Sequence, residues 1–102
     1  MDRARAREYA EQRRNIPIEG VNGLFLKDIT LKELQAADEI EDKESNPEEL
    51  TLWYLRNCVC WENGDCLLEK QDTMEVVSEY FSTRDLQMIS QAISQVYYGK
   101  KN

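Results

Sequence analysis

Along residues 46–61, apolar side chains take up nearly the whole circumference of a helix. At about 100° per residue, Leu50, Trp53, Tyr54, Asn57, Cys58 and Trp61 share one face, while Leu52, Leu55 and Val59 form a second stripe opposite. Asn46 is placed to cap this helix, with Pro47 at its first position and Glu49 returning the capping-box bond, and the pattern carries it to about Trp61. A small domain seldom hides two stripes. Either the helix runs through the centre of the domain, or one stripe is reserved for another chain.

The remaining pattern alternates turns and amphipathic stretches. Ile16, Ile18 and Val21-Asn22-Gly23-Leu24-Phe25-Leu26, punctuated by Pro17, Gly20 and Asn22-Gly23, predict two short strands around a turn at residues 20–23. Thr30-Leu31-Lys32-Glu33 has the capping-box form, and Leu31, Leu34, Ala37 and Ile40 then line a narrow face of a helix of about three turns. It leads into Asp38, Glu39, Glu41, Asp42, Lys43, Glu44, Glu48 and Glu49, an acidic stretch expected to be an exposed connection. Glu62-Asn63-Gly64-Asp65 reads as a tight turn and Cys66-Leu67-Leu68 as a short extended piece. Asp72-Thr73-Met74-Glu75 and Ser82 with Asp85 again have the capping form. They open one helix with Met74, Val77 and Phe81 on a face, and a last helix with Leu86, Ile89, Ile93, Val96 and Tyr97 in one arc; Gly99 stops the latter ahead of Lys100 and Lys101.

With 102 residues the chain supports a single domain, preceded by an arm over residues 1–14. The arm carries Arg3, Arg5, Arg7, Arg13 and Arg14 and almost no apolar residue, so it is expected to be an exposed helix or a frayed segment, or to dock on an acidic surface. A net charge of −7 and an isoelectric point near 4.6 argue against general binding to nucleic acid or anionic membranes. No run approaches the roughly 18 apolar residues of a spanning helix, and the Arg- and Glu-rich start lacks the apolar run of a signal peptide, so a cytosolic location is expected.

Catalytic and metal chemistry find little support. There is no histidine, which removes Ser-His and Cys-His nucleophilic sites and the commonest metal ligand. Cys58, Cys60 and Cys66 make an odd set that suits reduced structural thiols; on the expected helix Cys58 and Cys60 would point about 200° apart, which disfavours zinc. Neither a calcium-loop spacing nor a Gly-rich phosphate cradle is present, so no cofactor, metal site or enzymatic activity is expected.

The order of the pieces resembles one family. Ile16-Pro17-Ile18-Glu19-Gly20 leads to Gly23-Leu24-Phe25-Leu26-Lys27-Asp28-Ile29-Thr30-Leu31-Lys32-Glu33-Leu34. An acidic break, the helix of residues 50–61 and Trp61-Glu62-Asn63-Gly64-Asp65-Cys66-Leu67-Leu68 follow, and two helices over residues 76–81 and 86–97 close the chain. Over residues 15–98 this is similar to the tail assembly chaperones of long-tailed bacteriophages and prophages. The basic arm and Cys66 depart from the family's usual pattern.

The resemblance implies a non-enzymatic helper in the host cytoplasm. Such a helper binds tape measure protein, keeps that long helical chain from aggregating while tail tube protein polymerises around it, and associates with itself. A structural virion component, such as a head-tail connector or tail-completion protein, is the alternative. The expected fold is α+β, mostly helical with about four helices and a short N-terminal β-hairpin. Leu52, Leu55 and Val59 are expected to form the apolar partner-binding stripe, with Trp53 and Trp61 as further candidate contacts that also suit a core.

Overall fold

The computed structural model describes residues 1–43 and 47–99, residues 42 and 43 by their backbone alone. Five helices and three strands follow in the order α1 (Arg3–Glu11), β1 (Ile16–Pro17), β2 (Leu24–Leu26), α2 (Leu31–Lys43), α3 (Pro47–Asn57), β3 (Val59–Trp61), α4 (Met74–Tyr80) and α5 (Thr83–Tyr98). The fold is α+β as expected, but it has one more helix and one more strand than the sequence pattern suggested.

The expected hairpin forms. Ile16 pairs with Leu26 and Pro17 with Phe25, and the turn between the strands carries Gly20 at φ +88° and Gly23 at φ +89°. The two glycines do different jobs. A Cβ on Gly20 would stand 2.9 Å from Sδ of Met88 on α5, whereas one on Gly23 would meet nothing within 4 Å. At Gly20, then, the turn is left-handed and also pressed against a helix.

The third strand corrects the sequence expectation. The apolar helix stops at Asn57, where the side chain donates to the carbonyl of Trp53 at 2.9 Å, and Val59–Trp61 becomes a strand. Its partner is β2, antiparallel, with Leu24, Phe25 and Leu26 opposite Trp61, Cys60 and Val59. The cause lies outside the segment. A β-branched valine between two cysteines is a poor helix continuation, and the open edge of β2 offers it hydrogen bonds, one of them from Lys27 N to the Cys58 carbonyl at 2.8 Å.

Burial follows from this arrangement. Leu52 and Leu55 of α3 join Ile18, Leu24, Leu26, Val59, Leu68, Val77 and Ile89 in one cluster. On the other side of α3, Tyr54 and the adjoining Cys58 pack with Ala37 of α2, edged by Ile29, Leu34, Leu50 and Trp53. The helix therefore runs through the centre, the first of the two options its pattern left open. Leu52, Leu55 and Val59, expected as a partner-binding stripe, are 5%, 2% and 0% exposed inside a single chain, because the sheet, α4 and α5 cover them.

Local signals held where the chemistry is local. Glu33 N donates to Thr30 Oγ1 and Thr30 N to Glu33 Oε1, both at 3.2 Å, completing one capping box; Ser82 and Asp85 complete another. Gly99 is left-handed at φ 64° and receives the end of α5. Thr73 sits at the start of α4 without a side-chain capping bond, and Asp72 turns back to accept from Glu69 N at 2.8 Å. Leu31 and Val96 fall off the inner faces and are exposed. The Asn46 cap and the Lys100 and Lys101 positions lie outside the described residues, and the acidic stretch is helical as far as Lys43.

Two stability outcomes follow. Leu55→Ala is expected to cost about 2–5 kcal/mol in urea unfolding of the isolated chain, while Leu31→Ala costs almost nothing; equal, small effects would mean that Leu55 is not core. Gly20→Ala is expected to destabilise by more than Gly23→Ala, the latter costing about 1–2 kcal/mol for its left-handed backbone alone. If Met88→Ala fails to narrow the gap between them, the close approach to α5 is not its cause.

Candidate functional site

A groove between α3 and α5, lined also by Glu41 of α2, has a cavity volume of about 650 Å³. Leu50, Tyr54 and Leu55 come from α3. From α5 come Leu86, Ile89, Ile93 and Tyr98, with Thr83, Gln87, Ser90 and Ser94 between them. The α5 positions recur every three or four residues from one end of the helix to the other, so a single stripe of its surface lines the groove. Thr51 adds a hydroxyl from α3, and among the described residues neither lysine nor arginine lines it. The described lining is thus an apolar floor with a hydroxyl and amide rim and one carboxylate.

Aromatic rings hold one part of it in place. The hydroxyls of Tyr54 and Tyr98 hydrogen-bond each other and bridge α3 to α5. Tyr54 stacks on Tyr97 with ring centroids 6.5 Å apart and meets the edge of Trp53 at 5.2 Å. The Tyr97 hydroxyl donates to the carbonyl of Lys27 at 2.7 Å and lies against the Cys58 thiol, tying the end of α5 to the sheet.

Burial makes these groups poor acids. Desolvation pushes the Tyr54 and Tyr97 hydroxyls far above the usual phenol range, and it raises the Cys58 thiol to about 11 and the Cys60 thiol above its ordinary value. All four stay neutral through the physiological range. The Glu33 carboxyl is shifted the other way, lowered first by the Thr30 backbone N–H it accepts from.

Of the five contacts expected from sequence, Leu55 alone lines the groove, as part of its floor. Leu52 and Val59 are inside the core. Trp53 is half-buried beside Tyr54, and Trp61 is 45% exposed on β3, so the two tryptophans do not share a helical face. The stripe of α5 was not singled out because Leu86, Ile89 and Ile93 share one arc with Val96 and Tyr97 in the sequence. The usable signal was the spacing of Leu86, Ser90, Ser94 and Tyr98, which sets small hydroxyl residues where a buried seam would carry apolar ones.

The cysteines lie differently from the helical expectation. Cys58 sits in the turn that closes α3, its N–H donating to the Tyr54 carbonyl at 2.8 Å, whereas Cys60 is on β3 with Cys66 paired across from it. Among the described residues no group of three or more Cys, Asp or Glu is placed to hold a metal ion, and no helix is long and apolar enough to cross a membrane. The basic arm is helical as α1, buries none of its residues, and is joined to the body by Arg13, which donates to the Asp28 carbonyl at 3.0 Å and lies 3.9 Å from Glu33.

No family model, curated protein or solved structure matches this chain.

The raised pKa values of Tyr54, Tyr97, Cys58 and Cys60 tie stability to pH. Folded-state values above the unfolded ones mean that the unfolded chain loses its protons first as pH rises. The associated stability is therefore complete below about pH 9, the ordinary value for Cys58, and drains away as pH climbs towards 11 and beyond. Urea midpoints should be flat below about pH 9 and fall above it, less steeply in Cys58→Ala; a midpoint that stays flat to pH 11 would contradict the burial of these groups.

Proposed function

We propose that this protein is a non-enzymatic holder of helices that seats the apolar face of another protein's amphipathic helix in the groove between α3 and α5. The observation that supports this is the groove itself: an apolar floor, uncovered by the described residues, running the length of a 16-residue helix. An amphipathic helix of about four turns, roughly 24 Å, matches that length and would present anchors at i, i+3, i+4 and i+7. The carboxylate of Glu41 in the lining and the net charge of −7 favour an occupant with basic residues flanking its apolar face.

Together with the resemblance of residues 15–98 to tail assembly chaperones, this reading makes tape measure protein the partner and the host cytoplasm the place of action. A long, helical, aggregation-prone chain offers many amphipathic segments, and a shallow, open groove suits reversible holding. Tail tube protein is the further partner that the same reading implies. Self-association was expected from the stripe of Leu52, Leu55 and Val59. With that stripe inside the core, a second copy of the chain becomes a competitor for the same groove.

Co-expression with tape measure protein tests the proposal. The pair should co-purify, and Ser90→Lys, which sets a positive charge on an exposed rim position against the occupant's basic flanks, should weaken the complex about tenfold or more, with Tyr80→Ala on another surface as the silent control. Equal binding by Ser90→Lys would remove the groove from the account. Sedimentation of the purified chain reads the competitor: a dimer broken by Ser90→Lys would make the groove a homotypic interface. Purified particles should lack the protein, and its presence there would favour the connector or tail-completion alternative.

A further inference from the structure

The backbone around Cys60 and Cys66 sets the two sulfurs up as a pair. Trp61 N donates to the Asp65 carbonyl at 2.9 Å and Leu67 N to the Val59 carbonyl at 3.0 Å, so the residues between, Cys60 and Cys66, face each other at a non-hydrogen-bonded antiparallel position. This is the register in which opposite residues come closest, with Cα atoms roughly 4.5 Å apart and side chains on one face, inside the range of about 4.4–6.8 Å that a disulfide spans. The connecting turn is held by its own bonds. Gly64 N donates to the Trp61 carbonyl at 2.9 Å, and Asn63 and Asp65 exchange bonds at 2.9 and 3.0 Å.

The two cysteines differ in the way a reacting pair needs. Cys66 is exposed and Lys27 Nζ donates to its Sγ at 3.3 Å, placing a positive charge beside the sulfur that has to attack as thiolate. Cys60 is fully buried behind it, its thiol directed at the Phe25 carbonyl 3.6 Å away. Cys58, in the turn before the strand, lies against the Tyr97 hydroxyl instead.

We propose that Cys60 and Cys66 form a reversible intrachain disulfide when the chain meets a low-molecular-weight disulfide such as oxidised glutathione. The Cys66 thiolate attacks one sulfur of the oxidant, breaking its S–S bond and expelling one glutathione thiolate. Cys60, having released its proton, then attacks the Cys66 sulfur and expels the second glutathione. Two protein thiols are oxidised, one glutathione disulfide is reduced to two thiols, and the two protons end on glutathione. The new bond closes the short loop that carries Trp61 and takes from Lys27 its thiol partner. It needs no occupant in the α3–α5 groove, so it stands or falls apart from the proposed function.

The test is incubation of the folded protein with oxidised glutathione, followed by mass spectrometry without reduction. The expected product is a monomer lighter by two hydrogens, with Cys60 and Cys66 linked, Cys58 free, and all three thiols recovered by dithiothreitol. Cys60→Ser should stop at a glutathione adduct on Cys66. Because Cys60 is buried, the surface variant Cys66→Ser gives an independent arm and should form no intrachain disulfide, while Lys27→Met should slow the first step severalfold at neutral pH. Wild-type protein that halts as the glutathione adduct, links Cys66 to Cys58, or joins two chains through Cys66 overturns the proposal.

Discussion

A helix that is apolar on both sides has to be covered on both sides, and this demand on α3 organises the molecule. Leu52 and Leu55 draw the sheet, Val77 of α4 and Ile89 of α5 to one flank, while Tyr54 and Cys58 draw α2 to the other. Each fully buried large side chain contributes about 1.5–3 kcal/mol of transfer free energy, so two clusters meeting across one helix account for much of what a domain of this size can gather. The covering is incomplete along α5: Ile89 joins the core, Tyr97 stacks on Tyr54 and Tyr98 bonds to it, yet a groove stays open between the two helices. The groove is what remains when the central helix has been buried by neighbours too few to close around it.

What the sequence revealed was local in origin. Thr30 with Glu33, Ser82 with Asp85, the glycines of the hairpin turn and Gly99 each fix a bond or a dihedral within a few residues, and each forms. What it concealed depended on distant partners. Cys58-Val59-Cys60-Trp61 extends a helical pattern on paper, yet the unpaired edge of β2 claims it, and no count of apolar spacings contains that edge. Asp72 looked like a cap and spent its carboxylate on Glu69 instead. The groove was hidden for a similar reason: the pattern shows that Leu86, Ile89 and Ile93 are apolar, but only the placement of α5 decides which of them meet core and which meet solvent.

The same rearrangement gives the cysteines their character. On a helix they would have been three unrelated thiols. On β3 and its return segment they become one buried and one exposed sulfur in register, plus a third held by a tyrosine. The chain thereby carries two separable features on opposite kinds of surface, an apolar trough made by helices and a small sulfur pair made by strands.

The arm has a consequence of its own. Residues 1–14 hold five arginines against three carboxylates, a net +2, so with −7 for the whole chain the remainder carries −9. Since α1 buries nothing and is fastened by Arg13, this cationic segment stays displayed at the surface of an anionic body. Such a body carries an electric dipole. In a field it turns before it collides, and two copies approaching in dilute salt meet head to tail more readily than side by side. At physiological ionic strength that preference reaches only about 8 Å, one Debye length, so it orders the final approach and leaves longer-range diffusion unbiased.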